Sequence, residues 1–463
     1  MLAGGCRVGP DYHSPKTDVP GQWGAPLAGG VTNREASPGG WWKNFQEPEL
    51  DSLIERAVKT NLDLRLAEAR VRQARAQQGY AEADFGPKVN AAGTYARQKQ
   101  SKNQPILGAI PIPPNVPFEN NFYQAGFDAS WEIDIFGGKR RAAEAAAAEV
   151  SAMEESRQGV LVTLLSEVAR NYFLMRGSQA QLGIARQQVK AQAETVAITQ
   201  SRMDHGAATE LDVQRAEALI DTLQAQIPPL ESAIETSVHR LGVLLHLPPD
   251  ALRQELSVTA AMPALPPEVP VGLPSDLLRR RPDVQGAERR LAAETARIGQ
   301  TKADLFPKFS LTGSAGLTSV STSDFFAPSS RTFAIGPTVQ WRIFDAGRVR
   351  ANVRAQTAVR DQAFLTFEAT VLQALEDTEN SLVAYAKEQE HRQWLDKAAT
   401  ANQKAVNLAR QLYEKGLGNY LNLLDAQRTL YTAQTQLVQS QTAVTVNLVA
   451  LYKALGGGWE EKR

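Results

Sequence analysis

Side chains that could do chemistry are sparse in this sequence, and their spacing does not form a reactive site. No histidine stands at a metal-ligand spacing, and the motif His-Glu-x-x-His does not occur. The five histidines are His13, His205, His239, His246 and His391. Cys6 is the only cysteine, which excludes an internal disulfide and a cysteine-based metal cluster. We therefore expect no catalytic residue, no metal and no cofactor, and we do not expect an enzyme.

A glycine-rich stretch at residues 137–140, Gly-Gly-Lys-Arg, has the composition of a phosphate-binding loop but not its spacing. The earlier glycine and the following Ser or Thr of such a loop are absent, so we interpret the stretch as the start of a helix. Acidic and basic residues balance at 50 each. A nucleic-acid partner therefore has no electrostatic support, and none is expected.

One stretch of the chain occurs twice, and the other elements are arranged around it. Residues 131–141 read Trp-Glu-Ile-Asp-Ile-Phe-Gly-Gly-Lys-Arg-Arg. Residues 341–350 repeat the apolar ending, the glycine and the basic start, as Trp-Arg-Ile-Phe-Asp-Ala-Gly-Arg-Val-Arg. In both stretches an alternating strand pattern is followed directly by a long helix pattern. The sequence therefore predicts two copies of one strand–helix unit.

Four stretches alternate between apolar and polar residues and predict strands. They lie near residues 89–95, 123–135, 309–318 and 332–343. Four strands cannot close a membrane barrel, because the smallest single-chain barrels have about eight. Lipid does not tolerate an open sheet edge, since every backbone polar group must be paired there. If these strands lie in a membrane, several chains must therefore share one barrel.

The helices that follow the strands carry an apolar residue at every seventh position. In the first copy these positions are Leu161, Val168, Met175, Leu182, Val189, Val196 and Met203. A strict heptad repeat predicts coiled-coil packing. A helix over residues 139–203 would be about 100 Å long. The sequence has no run of about 18 apolar residues, so we expect no membrane-spanning helix.

The composition and the repeat divide the chain into an arm, a first repeat, a linker, a second repeat and a tail. These segments are residues 1–46, 47–245, 246–282, 283–455 and 456–463. The arm and the linker are rich in proline and glycine and carry no period. Each repeat should hold a strand pair and a helical hairpin. The strand pairs are residues 87–136 and 307–344, and the hairpins are residues 137–245 and 345–455.

Cys6 follows the small residues Leu2-Ala3-Gly4-Gly5 close to the start of the sequence. This resembles the cleavage box of bacterial lipoproteins, in which the cysteine becomes the lipidated first residue. The charged and apolar parts of a signal peptide do not precede it. We therefore expect the given start to lie downstream of the natural one, or residues to have been trimmed. We expect Cys6 to be the lipidation site; a cysteine without this function is the alternative.

Four motifs spread along the chain carry a family resemblance. They are Cys-Arg-Val-Gly-Pro-Asp-Tyr at 6–12, Arg-Pro-Asp-Val-Gln-Gly-Ala-Glu at 281–288, Ala-Asp-Leu-Phe-Pro at 303–307 and Tyr-Leu-Asn-Leu-Leu-Asp-Ala-Gln-Arg at 420–428. With them the chain resembles the TolC-like outer membrane factors of bacterial efflux and secretion systems, and in particular the lipoprotein branch of the OprM and NodT type. The resemblance covers essentially the whole chain.

The resemblance implies an α+β membrane protein in which a long α-helical coiled-coil barrel joins a transmembrane β-barrel. It implies a homotrimer with a 12-stranded barrel, four strands per chain, in the bacterial outer membrane. The helical part would cross the periplasm, and a lipid anchor would hold the chain in outer membrane lipid. A periplasmic adaptor and an inner-membrane pump would deliver solutes or drugs to this passive, gated duct.

The same resemblance assigns roles to the ends of the helical hairpins. Asp425 would contribute one carboxylate per chain to a ring at the periplasmic gate, and Leu421 would contribute an apolar ring. Converging like charges repel, which suits a bistable gate. Arg428 could pair with Asp425 along the helix, although such a pair would equally be an ordinary surface ion pair of little energetic weight.

The positions of the remaining tip residues indicate their roles. We interpret Asp212 as the equivalent tip acid of the first hairpin; a solvated helix residue is the alternative. Gly206, Gly416 and Gly418 are expected to permit tight reversals, and the family implies that these tips contact the adaptor.

Two other functions are alternatives to the efflux channel. A periplasmic coiled-coil scaffold would explain the heptads equally well, but it would not explain four strands with apolar faces. An outer membrane conduit of a protein secretion system uses the same duplicated fold, so the fold alone does not exclude it. The Cys6 motif and the arm favour efflux.

Overall fold

The computed structural model describes residues 7–34, 39–99, 101, 118–259 and 262–458. The chain forms two compact units, which we call the sheet unit and the helical unit. The sheet unit consists of Met1–Pro15, Arg72–Ser151 and Glu288–Leu365. The helical unit consists of Lys16–Val71, Ala152–Ala287 and Thr366–Arg463. Each unit therefore takes residues from both of the predicted repeats.

The sheet unit contains a four-stranded antiparallel sheet. Its strands are Lys88–Lys99 (β2), Glu119–Ile133 (β3), Lys308–Ser319 (β5) and Arg331–Gln340 (β6). Their order is β2-β3-β5-β6, so β2 and β6 form the two edges. The alternating pattern predicted all four strands. The last strand, β6, ends at Gln340, which is earlier than expected. Trp341 and Ile343 follow it as irregular chain.

The helices account for most of the chain. They are Pro48–Thr60 (α1), Leu62–Ala83 (α2), Gly138–Asp204 (α3), Glu210–Gln224 (α4), Ile227–Leu244 (α5), Pro274–Arg280 (α6), Pro282–Ala303 (α7), Arg348–Glu414 (α8) and Tyr420–Ala454 (α9). Both α3 and α8 have 67 residues. Within the described ranges, no helix combines the length and the apolar composition that crossing a bilayer would require.

Two aspartates cap the long helices where these follow the sheet. The Asp134 carboxylate accepts hydrogen bonds from the backbone N–H groups of Lys139 at 3.2 Å and Arg140 at 2.9 Å. The Asp345 carboxylate accepts one from the N–H of Val349 at 2.9 Å. A carboxylate at a helix N-terminus satisfies free N–H groups and complements the helix dipole. The stretch at 137–140 is thus a helix start, as predicted.

The sequence from Glu47 to Phe85 has a helix pattern that predicts one continuous helix, but the structure interrupts it at Asn61. The Asn61 side chain accepts a hydrogen bond from the N–H of Leu64 at 3.0 Å, which caps α2. Its Nδ2 donates to the carbonyl oxygen of Leu244 at 2.9 Å. Asn61 is buried, so the break between α1 and α2 is fixed by a tertiary contact.

The core of the helical unit is aromatic where the arm and linker meet the helices. Trp41 stacks on Tyr452 with ring centroids 5.0 Å apart, and Phe45 packs on Phe173 at 4.7 Å. A short parallel pair, Val31–Thr32 (β1) with Val269–Pro270 (β4), ties the arm to the linker. These contacts give the irregular segments of the helical unit a defined position.

Within the sheet unit, Arg141 holds the first described residues of the arm. Its guanidinium is 1% exposed and lies 2.7 Å from the Asp11 carboxylate. It also donates to the carbonyl oxygen of Val8 at 3.2 Å. Gly9 packs directly against Gly299. A Cβ atom on residue 9 would lie 2.4 Å from the Gly299 Cα. Cys6, the predicted lipidation site, lies outside the described residues.

Candidate functional site: the helix tips

Both helical hairpins reverse through the same backbone motif. After α3, the N–H of Gly206 donates to the carbonyl oxygen of Met203 at 2.8 Å, and the N–H of Ala207 donates to that of Arg202 at 2.7 Å. After α8, the N–H of Gly416 donates to the carbonyl oxygen of Tyr413 at 3.0 Å. These are Schellman motifs, whose key residue needs a positive φ. The φ angles are +75° at Gly206 and +76° at Gly416.

Gly418 differs from these two glycines. Its φ lies outside the left-handed range, so the reversal does not depend on glycine there. A Cβ atom at Gly418 would lie 3.2 Å from the Cβ of Leu412, a tight but adjustable contact. Gly206 and Gly416 therefore serve the reversals by their backbone conformation, whereas Gly418 contributes close packing.

The return helices begin with polar caps. The side chain of Thr209 accepts the N–H of Asp212 at 3.3 Å, and the Asp212 carboxylate accepts the N–H of Thr209 at 3.1 Å. This is a capping box. At α9, the Asn419 side chain accepts the N–H of Asn422 at 3.0 Å.

The caps correct the assignment of Asp212 as the equivalent of Asp425. Asp212 is the third residue of α4, as Asn422 is the third residue of α9. Asp425 lies almost one turn further along, at a position that Arg215 occupies in the first hairpin. The Asp212 carboxylate is engaged at the start of its own helix. Its structural counterpart is therefore Asn422, and the similarity of the two motifs had obscured this register.

An aromatic cluster joins the two tips inside the helical unit. Tyr413 and Tyr420 are buried and lie 5.9 Å apart, edge to face. The guanidinium of Arg202 lies 4.5 Å from the Tyr413 ring and donates to the Tyr413 carbonyl oxygen. Burial raises the pKa of the Tyr420 hydroxyl. The end of α3 is thereby fixed to the second reversal.

The three gate candidates on α9 occupy different surroundings. Leu421 is 48% exposed and Asp425 is exposed. Arg428 is exposed and borders a cavity of about 530 Å³ that Leu219 and Tyr431 also line. Within the described residues, no ion pair links Asp425 to Arg428. The possible pair along the helix is therefore not formed in the single chain.

Sequence reasoning missed a line of buried polar side chains on α3. Gln188, Gln192, Thr195 and Thr199 are all buried, whereas the heptad residues Val189 and Val196 beside them are only partly so. The amides and hydroxyls of this line contact three other helices, α4, α8 and α9. Their spacing of four, three and four residues follows one helix face, and a search for polar residues at heptad spacing would have found it.

The contacts of this polar line are specific hydrogen bonds. The Gln192 side chain donates to the carbonyl oxygen of Ala216 at 3.0 Å, and Gln427 donates to the Thr195 hydroxyl at 2.9 Å. The Tyr413 hydroxyl contacts the Thr199 hydroxyl at 3.3 Å. Hydrogen bonds of this kind hold the two hairpins together where an ordinary coiled coil would use leucines.

The structure brings no reactive constellation together at the tips. His205 contacts only the carbonyl oxygen of Ser201 among the described residues, at 2.7 Å. In the part of the chain that the structure describes, no three His, Cys, Asp or Glu side chains are grouped to hold a metal ion. The arrangement is suited to holding and rearranging helices.

Comparison with known proteins assigns this architecture to a class. The model of a family described as outer membrane efflux protein matches residues 53–245 and 273–457. This is most of the chain, and the chain belongs to that family. The resemblance on which the sequence analysis relied is thereby confirmed.

Relatives agree with this assignment over the full length of the chain. Toluene efflux pump outer membrane protein TtgC of Pseudomonas putida is 32% identical over 468 residues, which cover 100% of this chain and 94% of that protein. Pyoverdine export outer membrane protein OpmQ of Pseudomonas aeruginosa is 33% identical, covering 100% and 96%. Nodulation protein T of Rhizobium leguminosarum bv. trifolii is 30% identical, covering 99% and 96%.

Solved structures show the same fold. The outer-membrane channel OprN superposes with a TM-score of 0.90 at 35% identity, over 98% of this chain and 100% of that one. CusC superposes with a TM-score of 0.85 at 27% identity, over 98% and 100%. The chain therefore has the fold of TolC-like outer membrane channels, and its predicted efflux function is confirmed.

Proposed function

We propose that this chain is one subunit of a homotrimeric outer membrane channel, the passive and gated exit duct of a tripartite efflux system. In this proposal the sheet lies in the outer membrane and the helices extend into the periplasm. A periplasmic adaptor and an inner-membrane pump deliver solutes to the helix tips. The energy comes from the pump, so the chain needs no catalytic site, no cofactor and no nucleic-acid partner.

The single observation that carries the proposal is the exposed apolar face of the sheet. Phe333 is 84% exposed, Ile335 is 75% exposed and Phe127 is 64% exposed. A water-soluble sheet would bury such a face against a second layer. Lipid is the solvent that favours it, because apolar side chains on the outside of a sheet are typical of membrane barrels.

Aromatic side chains lie at both ends of that face and support the same interpretation. Tyr123 contacts Tyr95 at 5.1 Å and Phe325 at 6.4 Å near one end of the sheet. Trp131 stands at the other end, eight residues further along β3, which is about 27 Å. Membrane barrels carry aromatic girdles on either side of an apolar band about 25 Å tall.

The two edges of the sheet support assembly into a trimer. Among the described residues, β2 and β6 each pair with a neighbour on one side only. Unpaired backbone groups are not tolerated in lipid, so each edge requires another strand. We propose that β2 of one subunit pairs with β6 of the next, which gives a barrel of 12 strands from three chains.

We also propose that the chain consists of two copies of one unit, with the arm, repeats, linker and tail bounded as the sequence predicts. The matching φ angles at Gly206 and Gly416 support this duplication, as do the matching caps at Thr209 and Asn419.

The helix tips are proposed to form the gate and to contact the adaptor. Three exposed leucines, Leu211, Leu417 and Leu421, leave an apolar surface there for other chains. In a trimer, three copies of Asp425 would converge on the axis and repel one another, with Leu421 as an apolar ring beside them. Arg428 and Asp212 are proposed to stabilise the tip arrangement, and Gly206, Gly416 and Gly418 to shape the adaptor surface.

We propose that Cys6 carries the lipid that anchors the chain in the outer membrane. The clamp between Arg141 and Asp11 supports this role, because it holds the following residues next to the end of the sheet. The N–H of Val8 donates to the Phe136 carbonyl oxygen at 3.1 Å. The anchor would therefore start close to the strand–helix junction.

Extraction and assembly test the proposal. Membranes from cells that express the whole protein should release it only with detergent, and its mass in detergent should be that of three chains. Single substitution of Ile335→Asp on the apolar face should reduce the amount of membrane-inserted trimer, whereas Thr338→Asp on the polar face of the same strand should not. A monomer that is released by salt washing alone would contradict the proposal.

A further inference from the structure

A segment of the arm crosses the second helical hairpin inside the helical unit. We call residues 23–34 the strap. The indole N–H of Trp23 donates to the carbonyl oxygen of Gly272 at 2.9 Å. The N–H of Val269 donates to the carbonyl oxygen of Gly30 at 2.8 Å. Both ends of the strap are therefore attached to the linker, which is not part of any long helix.

Between these attachments the strap holds α8 at two points. The Glu379 carboxylate accepts hydrogen bonds from two consecutive backbone N–H groups, those of Gly24 at 2.7 Å and Ala25 at 2.8 Å. The Gln389 side chain donates to the carbonyl oxygen of Gly29 at 3.0 Å. The two points are ten residues apart, about 15 Å along the helix. Bonds to an ionised carboxylate are the stronger kind.

The backbone of the strap lies very close to α8 at the second contact, where Gln389 meets Gly29. Gly29 has a φ of +68°, and a Cβ atom there would lie 2.1 Å from the Gln389 Nε2 atom. Glycine adopts this backbone conformation without strain, and the absence of a Cβ lets the Gln389 amide lie directly against it. The contact is therefore a fitted one. The apolar residues Trp23, Ala25 and Val31 are buried in a core that also contains Leu382 and Tyr385 of α8. The hydrogen bonds to the linker keep the strap attached when its polar contacts to α8 break.

Contacts between α8 and α9 link the strap to the tips. They are joined by a short reversal, and Tyr413 of α8 packs against Tyr420 of α9. Further along the pair, the Asn447 side chain donates to the carbonyl oxygen of Ala384 at 3.3 Å. Through these contacts we infer that a movement of the tip at Asp425 is transmitted to α8 beneath the strap.

We propose that the strap is a latch, in which Glu379 and Gln389 hold the α8–α9 hairpin in the arrangement seen here and must release the arm backbone when the tips open. This inference rests on the proposed gated channel. It gives the strap, which lies far from the gate residues in the sequence, the function of restraining the α8–α9 hairpin. The carboxylate supplies most of the restraint, because it engages two donors at once.

Single-channel recording in planar bilayers tests the latch on the whole trimer. Glu379→Gln removes the charge and leaves one acceptor oxygen, and Gln389→Ala removes the second point. The ratio of open to closed time should rise roughly tenfold in Glu379→Gln, and further in the double variant. Glu376→Gln is the control, since Glu376 is exposed on the same helix and makes no hydrogen bond or ion pair within the described residues.

Reciprocity supplies a second readout that a merely structural contact would not give. If the latch and the gate are coupled, opening the tips with Asp425→Ala must weaken the latch by the same factor. Backbone N–H exchange at Gly24 and Ala25 should therefore become faster in Asp425→Ala and stay unchanged in Glu376→Gln. Unchanged exchange would overturn the latch.

The outcomes separate the latch from the channel. If the wild type forms channels that Asp425→Ala opens, while Glu379→Gln folds normally and gates like the wild type, the latch is wrong and the channel stands. If Glu379→Gln only lowers thermal stability with no change in gating, the contact is structural and the latch is again wrong. If the wild type forms no channels, the proposed function itself fails.

Discussion

The indole N–H of Trp131 donates a hydrogen bond to the carbonyl oxygen of Phe85 at 2.7 Å. In the second half of the chain, the indole of Trp341 makes the same bond to the carbonyl oxygen of Leu305 at 3.2 Å. Each tryptophan thereby ties the end of a strand to the end of the helix that precedes the strand pair. This correspondence supports the proposed duplication, and it gives the aromatic residues a polar partner at the sheet end.

Trp131→Phe should lower the free energy of unfolding of the trimer by about 1 kcal/mol, because Phe keeps the ring but leaves the Phe85 carbonyl oxygen without its donor. Trp341→Phe should behave alike. Trp394→Phe is the matched control, since Trp394 is exposed on α8 and its change should stay within about 0.5 kcal/mol. Thermal dissociation of the trimer in detergent measures all three. Equal effects of all three substitutions would contradict this role.

Two glycine substitutions should have opposite effects. Gly206→Ala should destabilise the trimer by about 1 kcal/mol, because an L-residue at a φ of +75° is strained. Gly183→Ala should stabilise it by up to about 1 kcal/mol, because Gly183 lies within α3 and a Cβ there meets open space. Unfolding monitored by circular dichroism measures both. A neutral result for Gly206→Ala would show that the reversal does not need its Schellman motif.

The reversals and the strands could be predicted from the sequence because their signals are local. Glycine marks the turns, and side-chain alternation marks strands such as β3 whatever lies around them. The break at Asn61 was missed because it depends on the distant Leu244 carbonyl oxygen. The capping function of Asp212 was missed because the similar motifs suggested that Asp212 corresponds to Asp425. The position within each return helix, counted from its first residue, instead pairs Asp212 with Asn422.

The polar line on α3 shows a second limit of sequence reasoning. The heptad residues Val189 and Val196 predicted an apolar seam near the tips, but Gln192 and Thr195 occupy the buried positions. An α-helix has 3.6 residues per turn, so a strict seven-residue repeat drifts around its surface by about 20° per heptad. The pattern could identify the coiled coil, but the face buried at the tips is decided by the neighbouring helices.

The arm clamp should respond to acid. The hydrogen bond and charge of Arg141 hold the pKa of Asp11 below its usual 3.8. A carboxyl whose folded pKa is depressed stabilises the docked arm above its unfolded pKa, and this contribution is lost as the pH falls through the folded pKa. Backbone N–H groups of Val8 and Gly9 should therefore be protected from exchange at about pH 5 and lose this protection as the pH falls below 3.8.

Asp11→Asn is the control for this titration. Its arm should already be less protected at the higher pH, and the acid-dependent loss at Val8 and Gly9 should be smaller than in the wild type. The same acid response in both proteins would show that other carboxyl groups release the arm.

Arg281 should be among the costliest residues to replace in the helical unit. Its buried guanidinium donates to Asp283 at 2.7 Å, to Asp377 at 3.0 Å and to the carbonyl oxygen of Ala454 at 3.2 Å. Burial alone would raise the pKa of Asp283, but Arg281 holds it below the usual value. Arg281→Met should therefore cost about 3 kcal/mol of unfolding free energy at neutral pH.

The loss should be smaller at about pH 4, because burial raises the pKa of Asp283 once the guanidinium is gone, and this carboxyl can then become neutral. Arg279→Met is the control. Arg279 is exposed and pairs with Asp276 at 3.4 Å, an ion pair worth less than about 1 kcal/mol. If Arg281→Met loses no more unfolding free energy than Arg279→Met, the Arg281 network does not contribute the stability expected of it.

Single-channel conductance of the reconstituted trimer, compared between the wild type and Asp425→Ala, tests the gated channel most directly. We expect the wild type to form discrete channels and Asp425→Ala to conduct more, because alanine removes the bulk of three side chains that converge across the proposed gate. Asp221→Ala, which removes an exposed acid further along α4 of the first hairpin, should conduct like the wild type. Purified protein that inserts no channel into the bilayer, or an Asp425→Ala conductance equal to that of the wild type, would contradict the account.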